Sequence, residues 1–170
     1  MPVEEHRLLA KGIKVRFCLL VTSDAVYEGR RVDELTPLAK ELISASGHEL
    51  IKSVKAPNNA DYIRRLINEL LSSECDVVVT TGGTGISRRD LTVDVIKEFC
   101  VKELPGYGEL FRYLTYLKHG PAAIASRATA CTTKEGKLIF TTPGSKDAFE
   151  LAMKELILPE IKHLVMELRR

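Results

Sequence analysis

Tryptophan is absent, and Tyr and Phe number five each, so aromatic residues make up only 6% of the 170. That is too few for a platform that stacks nucleic-acid bases. Neither sign of charge dominates: Lys+Arg is 25 and Asp+Glu is 23, for a net charge of +2. Such a balance argues against a charge-driven nucleic-acid binder and against a polybasic membrane protein. Cysteine is sparse. Cys18, Cys75, Cys100 and Cys131 form no C-x-x-C pair and have no closely spaced His beside them, which argues against a structural zinc site. They read as four buried or half-buried free thiols in a reducing compartment. His6, His48, His119 and His163 are scattered, and each alone fits a structural role. Long apolar runs are missing too. The first residues include Glu4 and Glu5, and the apolar stretch after Lys14 is closed by Ser23-Asp24, so neither a signal peptide nor a membrane-spanning helix is expected. The expected location is the cytoplasm, with no membrane and no nucleic acid among the partners.

What is present is an ordinary globular mixture, 45% apolar and 28% charged, without low-complexity tracts. One domain of this length buries roughly 70% of the surface its unfolded chain exposes. Residues 1–12 are polar and mixed and read as a loose arm; 13–170 read as one domain. The stretch 13–21 begins by alternating and ends as a continuous apolar run, which suits a strand buried on both faces. A helix is expected over 37–46, with Pro37 in its first turn and Gly47 as its stop. A strand follows over 48–56, then a turn at Pro57-Asn58-Asn59 with Asn59 as helix cap. Ile63, Leu66, Ile67, Leu70 and Leu71 keep a helical period. The valines of 76–81 give the cleanest strand. Helices over 92–100 and 107–118, a hairpin of 128–133 with 138–142, and a long helix over 146–167 kinked by Pro159 complete the chain. Strands alternating with helices define a three-layer α/β/α domain with a mainly parallel sheet and a small β-hairpin.

In such sheets ligands bind beyond the C-terminal strand ends. Three of those ends carry chemistry here. Thr80-Thr81-Gly82-Gly83-Thr84-Gly85-Ile86-Ser87-Arg88-Arg89-Asp90 places three glycines directly after a strand, exposing backbone N–H groups that can fold around an anion. Thr81 and Thr84 add hydroxyls, and Arg88 and Arg89 add positive charge. The spacing is neither a P-loop nor G-x-G-x-x-G. The same glycines also serve a tight turn with no ligand. Asp90 stands where a helix cap belongs and equally where a carboxylate would face a ligand. Asp24 can hold a metal hydrate or a ligand hydroxyl, or bond only local backbone. Pro143-Gly144-Ser145 can offer N–H groups and a hydroxyl, or cap the last helix.

These segments together resemble the MoaB/MogA family of molybdenum-cofactor biosynthesis proteins, which includes the gephyrin G domain. Residues 80–92 match the family's T-G-G-T-G-x-x-x-R-D-x-T. Ser23-Asp24, Leu104-Pro105-Gly106-Tyr107-Gly108-Glu109, Ser126-Arg127 and Pro143-Gly144-Ser145 match further family motifs in order. The resemblance spans about residues 13–165, and the short chain is closer to the MoaB branch. It implies binding of molybdopterin and its adenylylation by Mg-ATP, giving adenylylated molybdopterin and pyrophosphate on the way to a molybdenum or tungsten cofactor. It implies Asp24 and Asp90 as catalytic and Mg²⁺-binding carboxylates. It implies Ser23, Thr81, Gly82, Gly83, Thr84, Gly85, Arg89, Ser126, Gly144 and Ser145 as substrate-binding residues. It also implies a homo-oligomer, a trimer or hexamer, working with other proteins of the pathway. Two segments depart from the family pattern. Asn58-Asn59 stands where many members carry Asp after the Pro, and Leu35-Thr36 replaces Ser-Gly before the first helix. An amide is a weaker magnesium ligand than a carboxylate. A molybdopterin-binding carrier without catalysis, and an oligomeric scaffold, are the alternative readings.

Overall fold

A computed structural model of the chain describes residues 3–170. Six strands form one sheet in the order β2-β1-β3-β6-β5-β4: β1 Arg16–Thr22, β2 Glu49–Ala56, β3 Val77–Thr81, β4 Cys100–Glu103, β5 Thr129–Thr133 and β6 Leu138–Thr142. β2, β1, β3 and β6 are mutually parallel; β5 runs against β6, and β4 against β5. The helices are α1 Val3–Leu9, α2 Asp24–Tyr27, α3 Leu35–Ala45, α4 Ala60–Leu71, α5 Thr92–Lys97, α6 Pro105–His119, α7 Lys146–Leu151 and α8 Leu158–Leu168.

Alternation along the strands sorts side chains into two cores. Phe17, Leu19, Val21, Val77, Val79 and Phe140 face α3, α6 and the C-terminal helices. Cys18, Leu20, Val78 and Ile139 face α4 and α5. The three consecutive valines of β3 are each at most 1% exposed, as a central parallel strand requires.

Four expectations need correction. Residues 3–12 are not a loose arm: α1 leads into a 3₁₀ turn, Ala10–Gly12, and Arg7 pairs with Glu160 of α8 at 2.7 Å. The helix expected over 92–100 ends at Lys97, and the chain re-enters the sheet as β4, an edge strand whose last three residues are exposed. A strand of four residues with one outward Val and a Lys-Glu pair has no burial pattern to betray it. The four cysteines are not all free: Cys100 and Cys131 form a disulfide between β4 and β5, while Cys18 and Cys75 are free and buried. Finally, the long helix expected over 146–167 is not one continuous α-helix kinked at Pro159: it is divided ahead of the proline, which sits in the first turn of α8. A π-helical stretch, Ala152–Ile157, widens the turn between α7 and α8 just ahead of the proline.

The register sets the functional edge. Val21 lies beside Thr81, and Thr81 beside Thr142, so β1, β3 and β6 end at one level. The chain passes from β1 to β2 on one side and returns to β3 on the other. That reversal between β1 and β3 opens a crevice at their C-terminal ends.

Candidate functional site

Gly82 is fitted between three strand ends. Its N–H donates to the Thr142 carbonyl (3.0 Å), and its φ is +94°. A Cβ there would stand 2.2 Å from the Thr22 carbonyl oxygen, and one on Gly144 would stand 3.2 Å from the Gly82 Cα. A side chain at position 82 would therefore drive β1 and β3 apart. Gly83 (φ +68°) is as tightly held: its Cβ would meet Thr92 Oγ1 at 2.3 Å, and Thr92 N–H donates to the Gly83 carbonyl (3.2 Å). Thr81 Oγ1 donates to the Pro143 carbonyl (2.9 Å), tying β3 to the β6 exit. Ser23 and Ser145 each act as helix caps, accepting from Val26 N–H and Ala148 N–H. Together with Thr81 and Gly144 they line a cleft of about 180 Å³, to which Arg31, Asp33 and Lys146 add charge.

Beside this cleft stands Asp24. Its carboxylate accepts Asn58 N–H (2.7 Å), Asn58 Nδ2 (3.1 Å) and the Arg89 guanidinium. The Asn58 donors, then Arg89, hold the Asp24 carboxyl below the usual range, against the opposing effect of burial. Asn58 therefore supplies donors where a second carboxylate would repel Asp24. Asp33 shows the other departure at work. Its carboxylate accepts from Leu35 N–H and Thr36 N–H (both 3.0 Å) and from Thr36 Oγ1 (2.5 Å), starting α3. Burial alone would raise the Asp33 carboxyl, but these bonds and Lys55 bring it below its ordinary value.

Asp90 does not cap α5. That helix starts at Thr92 with Leu91 before it and no side-chain cap. Asp90 Oδ2 instead accepts Ser87 N–H (3.0 Å), and Asp90 N–H returns to the Ser87 carbonyl (3.1 Å). The carboxylate thus closes the arginine-bearing turn and lies against Gly85, whose added Cβ would fall 2.8 Å from Oδ2.

Arg127 binds this loop from a distant segment. Its N–H donates to the Thr84 carbonyl (2.9 Å), Nε to the Gly85 carbonyl (2.8 Å) and Nη2 to the Asp90 carbonyl (3.0 Å). Nη1 and Nη2 also grip Asp94 (2.9 and 3.0 Å), which lowers the Asp94 carboxyl and raises the guanidinium. Ser126 is set apart from Ser23 and Ser145. Its Oγ accepts Ala128 N–H, and it lines a second cleft of about 370 Å³ with Arg112.

The structure therefore brings Ser23, Thr81, Gly144 and Ser145 to one cleft, joins Asp24 to Arg89, and holds Asp90 on the glycine loop. Arg31, Asp33 and Lys146 were not anticipated; nothing local in the sequence ties them to the glycine loop. Among the described residues, no group of three His, Cys, Asp or Glu side chains could hold a metal ion. The donors present still fit magnesium, which binds through one or two carboxylates plus substrate phosphates rather than an all-protein cage.

A glycine loop pinned at a topological switch point, flanked by carboxylates and arginines, defines a doubly wound α/β protein with a charged, polar crevice at its C-terminal sheet edge. Residues 18–163 match the family model described as "Probable molybdopterin binding domain", and the chain belongs to that family. It is 39% identical to Molybdenum cofactor biosynthesis protein B of Bacillus subtilis (strain 168), over 100% of this chain and 99% of that protein. It is 37% identical to the protein of the same name from Staphylococcus aureus (strain MRSA252), over 98% and 99%. The crystal structure of the tungsten cofactor synthesizing protein MoaB from Pyrococcus furiosus superimposes with a TM-score of 0.86 at 34% identity, covering 92% of this chain and 98% of that one.

Proposed function

We propose that the protein works in molybdenum- or tungsten-cofactor biosynthesis, binding molybdopterin and adenylylating it with Mg-ATP. The observation that carries this reading is the Gly82-Gly83 turn, wedged against Thr22 and Gly144 between the Asp24 and Asp90 loops, in a chain of the molybdopterin-binding family. In the reaction a terminal phosphate oxygen of the pterin attacks the α-phosphorus of ATP. The bond to the β-phosphate oxygen breaks, and pyrophosphate leaves. Such a transfer depends mainly on placing anions and neutralising charge. Backbone N–H groups of the glycine loop receive phosphate oxygens, Arg89 and Arg31 offset their charge, and the fixed Gly82 backbone keeps the two reactants in register. Magnesium, when bound, neutralises the triphosphate, with Asp24 and Asp90 as the side chains that would hold it.

The test is a reaction of the purified protein with molybdopterin, ATP and Mg²⁺, read by pyrophosphate release and by the mass of the adenylylated pterin. Formation of both products supports the reading; stoichiometric pterin binding without pyrophosphate refutes the catalytic half of it. One observation favours that second reading, a carrier: Asn58 Nδ2 donates to Asp24 where a carboxylate would add negative charge for a metal.

A further inference from the structure

Part of what holds the glycine loop comes from outside it. Thr84, Gly85 and Asp90 all present main-chain carbonyls to one residue, Arg127, which lies 42 residues beyond Gly85 in the chain. Its guanidinium uses its donors on three separate acceptors: Gly85 O, Asp90 O and the Asp94 carboxylate of α5. A planar fork can satisfy such a set without moving, which an ammonium cannot. The segment that carries it is itself anchored. Arg112 of α6 donates to the Ala128 carbonyl (2.9 Å) and the Ser126 carbonyl (3.4 Å), and Ser126 Oγ accepts Ala128 N–H. A rigid path therefore runs from α6 through 126–128 to the loop.

We infer that Arg127 is the positioning residue of the site, fixing the Gly85 carbonyl and the Asp90 main chain so that the loop amides and the Asp90 carboxylate keep their places relative to each other. This rests on the adenylylation reading above. Arg127 touches no reactant in that reading; it acts through Gly85 and Asp90. Asp94 serves as its counter-charge and ties the same guanidinium to the first turn of α5. Without the guanidinium the Gly85 and Asp90 carbonyls lose their partner; the main-chain bonds at Gly82, Gly83 and Thr84 and the Ser87–Asp90 turn remain, so the loop loosens between them, over 85–90.

The experiment compares wild type, Arg127→Ala and Arg127→Lys at a temperature where all are folded. A misplacement of about 1 Å costs on the order of a hundredfold in rate, so kcat of Arg127→Ala should fall by about that factor while KM for ATP changes little. Free guanidinium at non-denaturing concentration should restore at least about tenfold of the loss, roughly 1.4 kcal/mol of barrier. Hydrogen exchange should accelerate at amides 85–90, where the Ser87 and Asp90 N–H groups are bonded, and stay unchanged at Gly82 and in β1, β3 and β6. Arg127→Lys keeps the charge beside Asp94 yet should not recover the rate, and it is read alone if the alanine variant does not fold. A kcat within about threefold of wild type for either variant overturns the inference. So does exchange that rises throughout the sheet, which would make Arg127 a general stabiliser. If the wild-type protein itself releases no pyrophosphate, the adenylylation reading fails. The positioning role is then judged by exchange and by molybdopterin titration: accelerated loop exchange with about tenfold weaker binding supports it, and unchanged values refute it.

Discussion

Asp90 carries the sharpest expectation at the scale of single residues. Its Oδ2 closes a turn by accepting Ser87 N–H, and the amide oxygen of an asparagine can accept the same bond. Asp90→Asn should therefore change stability by no more than about 1 kcal/mol. Removing the charge should lower adenylylation by at least ~100-fold, the scale of losing an electrostatic catalytic group. Thermal melting and the pyrophosphate assay on this one variant decide it: full activity would reduce Asp90 to a turn-closing residue. Asn58 is the reverse case. In Asn58→Asp a donor to Asp24 is lost and a like charge takes its place. Melting temperature in metal-free buffer should fall and recover on adding Mg²⁺, and turnover should rise about tenfold, some 1.4 kcal/mol in the barrier. A magnesium titration with no effect on melting would show that the position does not serve the metal. His48 governs a pH response elsewhere. It is buried and accepts Val15 N–H through Nδ1 (3.1 Å); burial first, then the Lys162 charge, depress its protonation below the ordinary range. The unfolded chain then takes up a proton that the folded one refuses. Stability is fully present above about pH 6.5 and declines as pH falls through the window down to the folded value. Melting followed between pH 5 and 7 should show this slope, and His48→Gln should flatten it.

Among the elements, the β4–β5 pair is where disulfide chemistry matters. Cys100 and Cys131 close a loop with a sequence separation of 31, for which the chain-entropy relation gives about 3–4 kcal/mol. Reducing agent, or Cys100→Ser, should lower the melting temperature by roughly 7–15 °C at ~2–4 °C per kcal/mol for a chain of this size. Thiol titration of the denatured, unreduced protein should find Cys18 and Cys75 alone; a count of all four thiols would refute the bond. The same region shows what the sequence could and could not disclose. Long periodic or strongly apolar segments announced themselves: α4 by its Ile and Leu spacing, β3 by its valines, and β5–β6 by two β-rich runs around a glycine turn. Asn59 does cap α4, accepting Tyr62 N–H at 2.9 Å. Strand β4 was hidden because an exposed edge strand of four residues has no period to read. The disulfide was hidden because its partners are brought together only by sheet pairing. The candidate site was legible where local backbone geometry itself demands the residue, as at Gly82 and Gly83. It was illegible where the bond crosses the fold, as for Arg127 to Gly85 and Asn58 to Asp24.

Seen whole, the described residues leave an apolar face of α6 exposed. On α6, Phe111 is buried and Leu114 packs against the core, but Leu110, Tyr113, Tyr116 and Leu117 are 54–62% exposed, and Ile124 beyond the helix is 85% exposed. We predict that this patch is an interaction surface. The expected occupant is another copy of the chain, in trimers or pairs of trimers. Light scattering at micromolar concentration should report such an oligomer, and Tyr113→Asp combined with Leu117→Asp should shift it toward monomer. A monomer in the wild type would sink the expectation.

One reversed strand decides where the pieces of the site can come from. In a sheet whose strands all ran the same way, every residue entering a strand would lie at the edge opposite the loops that leave it. Because β5 alone opposes its neighbours, the residues leading into it arrive at the edge where β1, β3 and β6 finish, with Thr129 level with Thr141. Ser126, Arg127 and Ala128 thus reach the glycine loop from behind, as a chain arriving rather than departing. The turn at 134–137 is carried to the far side, where changes in its length are insulated from the chemistry. Strand polarity, usually treated as a matter of hydrogen-bond geometry, acts here as the wiring that separates the edge carrying the candidate site from the edge carrying the 134–137 turn.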